Sequence, residues 1–147
     1  MQATGNKTFT IVPANFFDPA RSFSVLGRPA AVVELPRYRA FFVYDASLEA
    51  APELCGMLER LPDAPGYNKI LCAWRGGKLS LAIGQGKQLL LANEYKAPDF
   101  TTAEYFIFLA LKSLQMNPEV SGVRFTHALE AAQELSLLRY FKSVECE

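Results

Sequence analysis

The stretch from Lys69 to Met116 constrains this chain most, because two glycine-marked turns separate three short apolar runs and one long apolar helix follows. Ile70-Leu71-Cys72-Ala73-Trp74 is a run of strand formers. In Arg75-Gly76-Gly77-Lys78 the Gly-Gly pair marks a hairpin, since both turn positions can take positive φ without a Cβ clash. Leu79, Leu81 and Ile83 then alternate with Ser80 and Ala82, the period of a strand with a buried face. Gly84-Gln85-Gly86 makes a second turn, and Leu89-Leu90-Leu91 opens a third strand that runs towards Tyr95. Two tight hairpins in succession require three antiparallel neighbours. Lys96-Ala97-Pro98-Asp99 ends the third strand, and Thr101 and Glu104 have the spacing of a capping box. The helix that follows carries Tyr105 to Leu111, Leu114 and Met116, with Asn117-Pro118 as its stop. Its middle is apolar on nearly all sides, which predicts burial on more than one face. That run of about seven apolar residues is far short of the ~20 needed to span a bilayer.

Before this unit, residues 1–7 are polar and read as a loose start without the apolar core of a signal peptide. Phe9 to Val12 is a strand closed by Pro13, and Asp18-Pro19 starts a short helix ended by Gly27. Ala30 to Leu35 and Ala40 to Tyr44 are strands of one hairpin. A helix from Pro52 to Leu61 follows, because an earlier start would put Pro52 where it deletes a backbone bond. The turn-rich connector Pro62-Asp63-Ala64-Pro65-Gly66 divides residues 1–65 from 66–147, and it is too short to act as a free linker. One compact domain is expected, with a smaller N-terminal subdomain packed on the later core. After Asn117-Pro118, Val123 to His127 alternates as a strand, and a final helix runs from Glu130 to about Phe141 with Leu135, Leu138 and Phe141 on one face.

Composition narrows the function classes. Half of the 147 residues are hydrophobic and a fifth are charged, enough for one good core. Fifteen basic residues balance fifteen acidic ones, so no charge steers the chain to nucleic acid or an acidic membrane. Cys55, Cys72 and Cys146 are widely spaced and odd in number, which argues against a disulfide framework and for a reducing, cytoplasmic setting.

The order of three antiparallel strands, helix, strand and helix is that of the ribonuclease H-like core used by the actin and hexokinase superfamily. Phe9-Thr10-Ile11-Val12-Pro13-Ala14 with Phe16-Phe17-Asp18, and Leu91-Ala92-Asn93-Glu94-Tyr95 with Asp99 and Glu104-Tyr105-Phe106, resemble a bacterial family of unknown function with an actin-like ATPase fold. The resemblance runs loosely from Phe9 to Tyr140. It implies an α/β fold with a mixed sheet and a chain equivalent to the later lobe of longer relatives. It also implies that any nucleotide would sit in a cleft completed by a second lobe or a second copy.

Active members of the superfamily place an Asp at the end of the first strand, beside a glycine-rich hairpin whose amides hold phosphate. The matching stretch here, Ala73 to Lys78, has the glycines and lacks the Asp. Arg75, Gly76, Gly77 and Lys78 are therefore candidates for a phosphate-loop-like hairpin, with an ordinary turn as the simpler alternative. Asn93, Glu94 and Asp99, where the third strand meets the helix, form a candidate rim, although strand ends and caps recruit the same residue types. His127 is the only histidine and has no Ser or Cys partner in a nucleophile motif. No catalytic set and no metal set is expected. The expected function is a non-catalytic binding or scaffolding module with a protein partner or a second copy and without a cofactor. The alternative is a nucleotide-binding protein that takes ATP and Mg²⁺ in a shared cleft.

Overall fold

The computed structural model describes residues 8–147, so the polar start at residues 1–7 lies outside the described residues. Two sheets build the molecule. The smaller has three antiparallel strands, β1 (Phe9–Pro13), β2 (Ala30–Leu35) and β3 (Ala40–Asp45), in the order β1-β3-β2. Between β1 and β2 lie a 3-10 turn at Pro19–Arg21 and the short helix α1 (Ser22–Leu26). Asp18 Oδ1 accepts from the Ala20 N–H at 3.0 Å, and Gly27, at φ +72°, ends α1.

The larger sheet has five strands: β4 (Asn68–Arg75), β5 (Lys78–Gln85), β6 (Gln88–Lys96), β7 (Gly122–Phe125) and β8 (Ser143–Cys146). Their order is β6-β5-β4-β7-β8. The two hairpins lay β4, β5 and β6 side by side, antiparallel. Helix α3 (Phe100–Ser113) then carries the chain from the β6 edge back to β7, which pairs with β4 in parallel. Helix α4 (Ala131–Leu138) leads to β8, parallel to β7. The expected strand-strand-strand-helix-strand-helix order is thus present, with one further strand at its end. β4 lies between an antiparallel and a parallel neighbour, and Ile70 to Ala73 are all buried, as a run without alternation requires.

The faces of the large sheet differ in side-chain size. Ile70, Cys72, Leu81, Ile83, Val123 and Phe125 share a core with Ile107 and Leu111 of α3 and Leu137 of α4. On the other face Leu71, Ala73, Ala82 and Ala92 meet α2 (Glu53–Arg60). Three alanines there leave room for the helix. Leu54, Cys55, Met57 and Leu58 of α2 also join Phe9, Leu35 and Phe42 of the small sheet in that core. Helix α2 is therefore the layer between the sheets, and burying a side chain such as Leu58 contributes roughly 1.5–3 kcal/mol.

Four expectations need correction. Thr101 and Glu104 do not form a capping box: Asp99 is the N-cap, and its Oδ1 accepts from the Thr102 N–H and hydroxyl, both at 2.8 Å. Glu104 instead accepts from Ser136 Oγ at 2.7 Å and ties α3 to α4. Helix α3 stops before Asn117, because Gln115 takes the left-handed conformation at φ +56°. Asn117 caps the next 3-10 turn, accepting from the Glu119 N–H at 2.9 Å. The buried side of α4 is Leu137, continued by Phe141, whereas Leu135 and Leu138 are exposed. The helix ends at Leu138, and β8 follows where no strand was expected. Val144 and Cys146 pack on the core two residues apart, the only alternation that so short an edge strand offers.

Candidate functional site

The hairpin between β4 and β5 is a two-residue turn in which Gly76 (φ +56°) and Gly77 (φ +72°) are both left-handed. That conformation explains the Gly-Gly pair without a ligand. The Gly77 carbonyl accepts the Ala97 N–H at 2.8 Å, so the end of β6 closes over the turn.

The two flanking cations are engaged by acids from other elements. Arg75 Nε donates to Glu53 Oε2 at 3.1 Å, and Glu53 opens α2. Thr126 Oγ1 lies 3.4 Å from the same oxygen. Lys78 Nζ lies 3.3 Å from Glu94 Oε2, but the approach does not meet hydrogen-bond geometry, and this oxygen is buried without a donor. The contact is therefore an ion pair that leaves Glu94 with spare acceptor capacity.

Asn93, Glu94 and Asp99 do not converge. Successive residues of a strand point to opposite faces. Glu94 pairs with Ser80 in the register, and Asn93 pairs with Leu81, which belongs to the α3-side core. Asn93 Oδ1 accepts the Glu94 N–H at 2.9 Å. Tyr95 also faces α3, stacking on Phe106 with ring centroids 4.6 Å apart. Burial pushes the Tyr95 phenol up, against a hydrogen bond with Asn93 that lowers it. Asp99 is taken up by its cap, and those Thr102 hydrogen bonds hold its carboxyl below the ordinary carboxylate value.

Behind the turn lies an aromatic plug. Trp74 Nε1 donates to the Ala97 carbonyl at 2.9 Å, and its ring meets Phe100 edge-on at 5.5 Å. Phe125 is fully buried, with Phe100 at 6.3 Å and the His127 ring at 5.7 Å. His127 Nε2 accepts the Trp74 backbone N–H at 2.8 Å, and Nδ1 lies 3.0 Å from the Ala128 carbonyl. These partners require the tautomer with its proton on Nδ1, which leaves Nε2 free to accept from Trp74 and tie the end of β4 to the segment just after β7.

The remaining reactive groups are withdrawn. The three cysteines are unpaired; burial pushes the Cys55 thiol up to about 11, and burial raises Cys72 further. No group of three or more His, Cys, Asp or Glu is placed to hold a metal ion among the described residues. The site does not fit ATP with Mg²⁺ as it stands, because the strand-end Asp is missing and Arg75 and Lys78 are already paired. Glu53 is the residue that sequence reasoning missed. Its signal was an acid just after Pro52, at the start of a helix aimed at the strand ends.

Among the described residues no helix is long and apolar enough to cross a membrane. No curated protein matches this chain. A crystal structure from Bacteroides thetaiotaomicron VPI-5482, of a protein with an actin-like ATPase fold and unknown function, superposes with a TM-score of 0.72 at 17% identity. The superposition covers 99% of this chain and 66% of that one, so the chain spans a little under two thirds of its length. The fold is therefore that of the actin-like ATPases. The profile of a family of proteins of unknown function, DUF3822, matches residues 48–144, which take in α2, the whole meander and both later helices. The chain belongs to the DUF3822 family of proteins of unknown function.

Proposed function

We propose that this domain is a non-catalytic binding or scaffolding module of actin-like fold, equivalent to the later lobe of longer relatives and acting through a protein partner or a second copy. The observation that carries the reading is the pairing of Arg75 with Glu53 and of Lys78 with Glu94, which flank the hairpin whose counterpart in active members of the superfamily holds phosphate on its amides. A phosphate arriving there would have to displace two carboxylates. Exposed Tyr105 and Leu109, one turn apart on α3, support an interaction role, since they put two large apolar side chains side by side on the surface.

A thermal-shift titration with ATP, GTP and Mg²⁺ tests this. A ligand at a hundred times its Kd stabilises the folded state by about 2.7 kcal/mol, which is easily read. No saturable shift that depends on the hairpin is expected. A shift that disappears in Arg75→Ala or Gly77→Val overturns the proposal. Static light scattering at high concentration addresses the second copy, which a clean monomer removes.

One observation favours the alternative, a nucleotide-binding protein whose cleft a second lobe completes. Glu94 Oε2 is buried without a hydrogen-bond donor, and such groups are rare in folded domains. In this reading the added lobe brings the donor, and ATP with Mg²⁺ binds only to the completed cleft. The same titration, repeated with the longer protein, separates the two.

A further inference from the structure

The opposite end of the large sheet is hollow where the hairpin end is plugged. β4, β7 and β8 run in parallel and begin side by side. Their first residues and the connector before β4 line a concavity of about 300 Å³, near the lower end of the range for small-molecule sites. Its lining amide, Asn68, is satisfied within the protein. Asn68 Nδ2 donates to Ser121 Oγ at 2.9 Å, Ser121 Oγ donates to the Asn117 carbonyl at 2.7 Å, and Gln85 Nε2 donates to Asn68 Oδ1 at 2.9 Å.

Its charges are not balanced. Lys69, Arg124, Lys142 and Glu145 line the concavity, and Arg124 Nη2 holds Glu145 Oε2 at 2.8 Å. Lys69 and Lys142 enter no ion pair among the described residues. Lys69 is only 9% exposed, and the Ala64 carbonyl is its one side-chain hydrogen-bond partner, against three donors on a lysine. A buried cation is costly unless an anion and further hydrogen bonds compensate it. At the rim, Tyr67 is 69% exposed and Val120 is exposed beside it, giving an apolar border to a basic hollow.

We propose that this concavity binds a small oxyanion, a molecule bearing phosphate or carboxylate groups that meet Lys69 and Lys142 while an apolar or flat portion lies against Tyr67 and Val120. The site lies at the far end of β4 from the glycine hairpin and does not depend on it.

Thermal unfolding of the full chain, titrated with sodium pyrophosphate and separately with sodium citrate, tests the proposal. Sodium chloride matches the ionic strength throughout, so that general screening cannot imitate binding. A saturable rise in Tm is expected with at least one probe, and which one responds distinguishes a phosphate ligand from a carboxylate ligand. Lys142→Ala is expected to raise the half-saturating concentration about tenfold, the loss of one charge-assisted contact. Lys112→Ala, an exposed lysine of α3 outside the concavity, keeps the rise unchanged. Lys69→Met abolishes the rise; should that variant fail to fold, Lys142→Ala decides alone. The proposal is overturned by the absence of a saturable rise with either probe, by a rise that Lys142→Ala leaves intact, or by one that Lys112→Ala weakens equally.

Discussion

The two ends of the large sheet each bring basic residues together, and they treat them in opposite ways. At the hairpin end Arg75 and Lys78 meet Glu53 and Glu94, which come from α2 and β6. The ends of β4 and β7 there are sealed by Trp74, Phe100, Phe125 and His127. At the other end Lys69 and Lys142 face a concavity, and the acid that could pair with them, Glu145, is held by Arg124. A glycine turn flanked by cations resembles a phosphate loop in sequence. Whether it can serve as one depends on acids far away in the chain, which no local motif records. A buried cation that folding leaves without an acid is the better marker of a ligand, and Lys69 is such a cation in a stretch where the sequence has no motif.

The largest test of this contrast is Phe125→Ala. Phe125 is fully buried at the end of β7 and contacts two of the other plug residues, so truncation removes packing and leaves a cavity. A loss of about 3–5 kcal/mol in urea unfolding is expected. A loss under about 1.5 kcal/mol would mean that the hairpin end collapses easily and is no rigid plug. Next in size is His127→Ala, which leaves the Trp74 N–H without its acceptor. A cost of about 1–3 kcal/mol is expected, and an unchanged midpoint would show that water replaces the ring and that the strand ends are open to solvent.

The meander was legible because its punctuation is local: Gly76-Gly77 needs positive φ at both positions, and Ile70 to Ala73 is too continuous for an edge strand. Pro52 likewise fixed the start of α2. The failures share a physical cause, since each concerns a choice between residues that sequence makes equivalent. Asp99 and Thr101 are both good caps, and the helix starts two residues earlier, on Asp99. Leu135, Leu137 and Leu138 are equally apolar, and only the way α4 packs on the core of the large sheet and α3 buries Leu137. β8 is four residues at an edge, paired with a strand that a helix separates from it. Lys69 carried a faint signal. It lies two residues before Leu71 and four before Ala73, on the same face of a buried strand, where a lysine is out of place.

A smaller effect is expected from Asp99→Ala, which removes the cap of α3 beside the plug and lowers the Tm at neutral pH. Its pH dependence gives the sign. The folded carboxyl is held below its ordinary value by the Thr102 hydrogen bonds. Its contribution is therefore fully present above the unfolded pKa and lost as pH falls through the folded one. The gap in Tm between wild type and Asp99→Ala should be widest at neutral pH and close in acid. A gap that stays constant into acid would show that the cap acts through shape and not through charge.

The smallest effect expected bears most directly on the comparison. A double-mutant cycle with Lys78→Met and Glu94→Gln isolates the pair that neutralises one side of the hairpin. Lys78 is half exposed, so solvent screens the attraction, and a coupling of about 0.2–1 kcal/mol is expected. A weak coupling means that the pair cancels charge without stiffening the turn, and that a stronger anion could in principle compete for Lys78. A coupling well above about 1 kcal/mol would instead make the pair a desolvated clamp, closing the hairpin end to phosphate on energetic grounds as well as geometric ones. Either value bears on the same point, because Lys69 and Lys142 have no acid with which such a cycle could be built.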